Sequence, residues 1–256
     1  TGTFAGAANF DTIGLVSAGA EDVFVAHVNA AGSFVWAHRV GGSGAEQSAA
    51  SITTDGSGGT LATGAFSSST ASFDATTLTR VGNYDCFIMR TTSAGIQWAV
   101  RGGPVSAAGG AGARGTGIVS DGSSGAFVTG AFTGAAEFGA HSLGAGAGSQ
   151  NSFILRVSSS GTIAWATAIT GTVSGSQADA TSIASDGSNG AVVTGNFMGT
   201  ISLGPYELSS TVSDQPDTFT CRVSSAGTIV WATRVGTATI TSSNSITTDG
   251  SGAAFT

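Results

Sequence analysis

Four aspartates recur in one short phrase: Asp55-Gly-Ser-Gly-Gly, Asp121-Gly-Ser-Ser-Gly, Asp186-Gly-Ser-Asn-Gly and Asp249-Gly-Ser-Gly-Ala. Carboxylates in glycine-rich turns invite a calcium reading. An EF-type loop, however, needs about six oxygen ligands and a distal Glu, whereas this phrase supplies one carboxylate and no such Glu. The expectation is a plain hairpin turn in which Asp bonds its own backbone and Gly supplies positive φ. A second set is basic. His27, Arg90, Arg156 and Arg222 share one repeat position, and Arg39, Arg101 and Arg234 share another. Arginine forks match carboxylates and phosphates, so these seven are candidate anion- or glycan-binding residues. The competing reading is an outer-strand ion pair or a solvated edge that discourages sheet-to-sheet pairing. Few carboxylates stand opposite them in the sequence.

Asp22, Asp85 and Asp217, with Asn151 in the remaining repeat, each stand two residues before a Phe. A strand-start carboxylate bonded to loop backbone accounts for them without catalysis. His27, His38 and His141 fall at different repeat positions and show no metal-ligand spacing. No Gly-x-Ser-x-Gly elbow sits between a strand and a helix, and the low acid content argues against the paired carboxylates of a glycosidase. The expectation is therefore no enzyme, no cofactor and no metal.

The composition agrees. Charged residues are 9% of the 256, against roughly 25% in an average globular protein, and lysine is absent. A net charge of −7 argues against nucleic acid, which needs a clustered basic face. No apolar run approaches the roughly 18 residues of a membrane span. The 41 glycines could suggest disorder, but the large apolar residues recur at fixed places, which a disordered chain has no reason to do. Cys86 and Cys221 occupy different repeat positions on opposite strand faces, so both are expected as free, partly buried thiols.

The turn aspartates are 66, 65 and 63 residues apart, and counting through the two ends gives 62. Thr256 falls where Ala62, Val128 and Val193 fall, and Thr1 where Thr63, Thr129 and Thr194 fall. The spacing predicts a whole number of repeats, four. Each reads as four short strands. The first is a small β-branched segment such as Ser51–Thr54, and the second ends at Phe4, Phe66, Phe132 or Phe197. The third carries Phe24, Phe87, Phe153 or Phe219, and the fourth Trp36, Trp98, Trp165 or Trp231. A variable link joins the second to the third. No 3.6-residue periodicity runs long enough for a helix.

Units of this kind cannot bury their faces alone, which points to a β-propeller or stacked β array. The Phe and Trp rows then pack between neighbouring blades. The expected fold is all-β: one domain, 1–256, forming a four-bladed propeller whose termini meet within one blade. The blades are approximately 51–116, 117–181, 182–244, and 245–256 plus 1–50. The alternative is a whole-repeat excerpt of a longer array or filament.

Thr-Gly-x-Phe, then Asp-x-Phe, then Ser-x-Gly-x-hydrophobic-x-Trp-Ala, then a Gly-rich link, Ile and Asp-Gly resembles the bacterial β-propeller repeat family known as SBBP, over essentially the whole chain. The resemblance implies a secreted or surface-exposed repeat module. The family's Gly-Gly-x-Gly-x-Asp link is kept only in Gly41–Glu46. The expected function is a non-catalytic extracellular scaffold, in a surface fibre or adhesin, with itself or a surface protein or glycan as partner. One alternative is a ligand-binding propeller using loops at one end of its axis; the other is a propeller hydrolase or lyase.

Overall fold

The computed structural model describes residues 1–44, 47–250 and 253–256. Among them every regular element is a strand except one 3-10 turn at Ala108–Gly110. From the N-terminus run β1 (Gly2–Phe4), β2 (Ala7–Phe10), β3 (Ile13–Val16), β4 (Asp22–Val28) and β5 (Phe34–Val40). The next repeat holds β6 (Gln47–Thr54), β7 (Thr60–Phe66), β8 (Thr70–Phe73), β9 (Thr76–Thr79), β10 (Asp85–Thr92) and β11 (Gly95–Pro104). It is followed by β12 (Ala113–Ser120), β13 (Ala126–Phe132), β14 (Ala136–Phe138), β15 (His141–Leu143), β16 (Asn151–Val157) and β17 (Ile163–Gly171). The last full set is β18 (Gln177–Ser185), β19 (Ala191–Met198), β20 (Thr200–Leu203), β21 (Tyr206–Ser209), β22 (Asp217–Val223) and β23 (Ile229–Val235). A short pair, β24 (Thr247–Thr248) and β25 (Ala254–Phe255), ends the chain.

Each full repeat thus has six strands, not the four expected from sequence. The variable link is itself a hairpin, turned by left-handed residues Asp11, Asp74, Gly139 and Gly204, with φ of 55°, 50°, 60° and 59°. Two of these hairpins interlock the repeats by joining a larger sheet. The sheet β6-β7-β10-β11 continues into β14-β15 of the following repeat, and β12-β13-β16-β17 continues into β20-β21. A bridge from Gly41 to Ser72 joins the first sheet to β8 in the same sense.

The Thr-Gly-x-Phe phrase has a packing cause. Thr63, Thr129 and Thr194 lie buried and donate their hydroxyls to the carbonyls of Phe87, Phe153 and Phe219. A Cβ on the adjacent Gly64 would sit 1.9 Å from the Ser48 carbonyl and 2.9 Å from the Phe87 ring, and Gly130 and Gly195 are as tightly hemmed. Only glycine lets the third-strand phenylalanine lie across the second strand.

The core is a series of seams between successive sheets. Val23, Val25 and Trp36 meet Ala62, Phe66 and Met89; Leu61, Cys86 and Ile88 meet Ile118, Val128 and Phe153; Phe127 and Ile154 meet Val193, Phe197 and Phe219. Tryptophans bridge the rims. Trp98 Nε1 donates to the Ser159 carbonyl and Trp165 Nε1 to the Ser225 carbonyl, both at 2.8 Å. The rings lie against Gly161 and Gly227, where an added Cβ would come within 2.9 and 2.7 Å. All four tryptophans are buried or half-buried, as are Phe4 and Phe24.

The two ends lie in separate sheets, contrary to the expectation that they share a strand. β1 pairs with β4 and β25 with β24, and β24 packs on the preceding repeat, where Thr248 Oγ1 donates to the Ser185 carbonyl at 2.6 Å. No strand pairs the β4 edge beyond Phe24 among the described residues. A cavity of about 500 Å³ runs along that edge, between Ala26–Val28 with Trp36 on one side and Gly56–Thr60 on the other.

Candidate functional site

The turn aspartates form a repeated clasp. Asp55 Oδ1 accepts from the Ser57 and Gly59 amides at 2.7 and 2.8 Å, while Oδ2 accepts from Arg90 Nε at 2.7 Å. Asp121 does the same with Ser123, Gly125 and Arg156, and Asp186 with Ser188, Gly190 and Arg222. Gly56, Gly122 and Gly187 supply the positive φ of the turn. In the last repeat Asp249 is exposed and accepts from the Ala253 amide at 3.2 Å. His27, at the arginine position, is also exposed, its ring 5.8 Å from that of Trp36.

The strand-start aspartates form a second clasp. Asp22, Asp85 and Asp217 are fully buried. They accept from the loop amides of Ala18, Val81 and Thr211, each at 2.7 Å. They also pair with Arg39, Arg101 and Arg234. The fourth repeat departs at both positions together. Asn151 replaces the aspartate and Ala168 stands where the arginine would be, opposite Phe153. Asn151 instead donates to the Ala145 carbonyl and accepts from the Gly171 amide.

Six of the seven candidate binding residues therefore turn their charge toward their own chain. Arg114 is bound to Asp179, and Arg80 donates to the carbonyls of Gly82 and Asn83. All eight arginines of the chain are thus engaged. A guanidinium already forked onto a buried carboxylate has little left for an external anion. Sequence reasoning missed these partners because they lie 35 or 36 residues away in the turn clasp and 16 or 17 in the strand-start clasp. The constancy of those separations was the available signal.

The electrostatics of the turn clasp follow. Burial pushes the Asp55 carboxyl up, but the Ser57 and Gly59 amides and Arg90 outweigh it and hold the group down at about 2. Asp186 and Asp217 are lowered by the same opposition, with Ser188, Gly190 and Arg222 acting on one and Thr211 and Arg234 on the other. A carboxyl with a lower pKa folded than unfolded stabilises the fold fully above its unfolded value of about 4 and loses that contribution as pH falls toward 2. Stability is thus expected to fall steeply between about pH 4 and pH 2. Asp55 contributes about 2 kcal/mol of that loss. Thermal unfolding of wild type and Asp55→Asn across this window checks it, the variant showing the shallower slope.

Burial drives the Cys86 and Cys221 thiols up to about 12. Both are fully buried, in different seams, so they are protonated, apolar core groups rather than nucleophiles. No group of three or more His, Cys, Asp or Glu side chains could hold a metal among the described residues. No helix there is long and apolar enough to cross a membrane.

No protein-family description matches the chain, and no curated protein matches it. Among solved structures it is similar to a protein of unknown function from Bacteroides caccae. The identity is 15%, the match covers 80% of this chain and 66% of that one, and the TM-score is 0.35.

Proposed function

We propose that the chain is a non-catalytic structural repeat module of propeller type, of the SBBP kind, serving as an extracellular scaffold in a surface fibre or adhesin. The observation that carries this reading is the direction of its ionic chemistry. The repeated aspartates and arginines point at each other and at loop backbone, holding turns and strand starts. The apolar seams likewise spend the aromatic rows on joining one repeat to the next. Turnover by the purified chain on a panel of glycosides, esters and polysaccharides would overturn the non-catalytic part.

The same reading assigns a role to the open edge of β4. Extending the β1–β4 register, in which Gly2 faces Phe24, places a strand of the β25 type opposite Ala26 and His27. That edge accepts an inner hairpin, its own in a closed four-bladed ring or another repeat's in a longer array. Sedimentation distinguishes the two: closure gives one species at 24.8 kDa, and completion by another copy gives larger ones that grow with concentration. Amides of Ala26 and Val28, which alternate with those bonded to β5, would refute the edge assignment by exchanging as fast as a loop in either species.

A further inference from the structure

We propose that the polar face at the junction of β18 and β19 is a binding site for a neutral sugar residue. This goes beyond the scaffold role and does not depend on it. Gln177 and Asp179 are two apart on β18 and share a face. In the register, Met198 stands opposite Gln177 and Asn196 opposite Asp179. Gln150 arrives from the preceding repeat, bridged by its backbone to Gln177. With Pro216 these side chains line a cavity of about 300 Å³, at the small end of ligand pockets.

At the Asn196 position the frame does not ask for polarity, since the other two repeats have Ala65 and Ala131 there, opposite Ser48 and Arg114 at the Asp179 position. Alanine suffices at the Asn196 position for the seam. The polar group is moreover organised. Arg114 Nη2 reaches from the neighbouring sheet to both Asp179 oxygens, at 2.9 and 3.0 Å. Asn196 is fixed by accepting from the Ser243 amide at 2.9 Å. The Gln177 side chain is exposed and makes no hydrogen bond among the described residues.

The ligand class follows from these groups. The carboxylate is already neutralised by Arg114, so the wall carries no net charge to attract an ion. Carboxamides offer a donor and an acceptor side by side, which suits adjacent hydroxyls that both give and accept. Met198 and Pro216 supply an apolar patch for the C–H face of a pyranose ring.

Titration of the whole chain with glucose, galactose, mannose and N-acetylglucosamine, followed by amide NMR, tests the site. At least one sugar is expected to give saturable shifts centred on the side-chain amides of Gln150 and Gln177. Gln177→Ala is expected to weaken that binding about tenfold without moving the thermal midpoint, and Gln97→Ala on a distant surface to leave it unchanged. No saturable shift with any of the four sugars, shifts centred elsewhere, or equal binding by Gln177→Ala would overturn the proposal.

Discussion

Replacing Arg101 with alanine is expected to cost about 3 kcal/mol of unfolding free energy, and adding Asp85→Asn in the same molecule to recover much of it. Arg101 pairs with a carboxylate that is fully buried and also accepts from the Val81 and Gly82 amides. Removing the guanidinium strands that charge, and an uncompensated buried charge costs more than the pair is worth. The repeat with Asn151 and Ala168 already has the neutral solution, an uncharged side chain bonded to backbone on both sides. Denaturant unfolding of the two single variants and the double variant measures the coupling. A double variant no more stable than Arg101→Ala would show that the clasp works by something other than charge compensation.

The second large effect contrasts two phenylalanines at one repeat position. Phe127 is fully buried in a seam, with the Trp165 ring at 6.0 Å and the Arg156 guanidinium 5.8 Å from its centre. Phe127→Ala is expected to cost about 3–5 kcal/mol. Phe255 stands at the same place in the last hairpin but is 61% exposed where β25 pairs only with β24, so Phe255→Ala is expected to stay within about 0.5 kcal/mol as long as the β4 edge is open. A cost for Phe255→Ala approaching that for Phe127→Ala would mean that a further strand covers it in solution, as completion of the β4 edge requires. Chemical denaturation at two protein concentrations separates completion within one chain from completion between chains.

Much of this fold is legible in the amino-acid sequence alone. Asp-Gly turns, β-branched first strands and aromatic positions are local facts, repeated often enough that the period, the all-β class and the four main strands of each repeat can be read directly. The link hairpins escape such a reading because their signal is four residues of alternation, as in Thr70–Phe73, broken by an Asp or Gly in a left-handed turn. A segment that short has little preference of its own: Ala136–Phe138 and Thr200–Leu203 are held at the edge of the preceding sheet, whereas Ala7–Phe10 and Thr70–Phe73 pair within their own hairpins, the second with one bridge to Gly41.

The candidate site shows the same division. That Asp55, Asp121 and Asp186 hold turns follows from side-chain bonds reaching two to four residues along the chain, and composition alone tells against a basic face. That Arg90, Arg156 and Arg222 complete those turns is decided by strand register, which sets a residue about 35 positions away beside its partner. The polar wall of Gln150, Gln177, Asp179 and Asn196 likewise exists only once strands from two repeats converge. Contacts within a turn are written into neighbouring residues; contacts across a sheet depend on which strands meet and in what register, and that is settled by the packing of the whole.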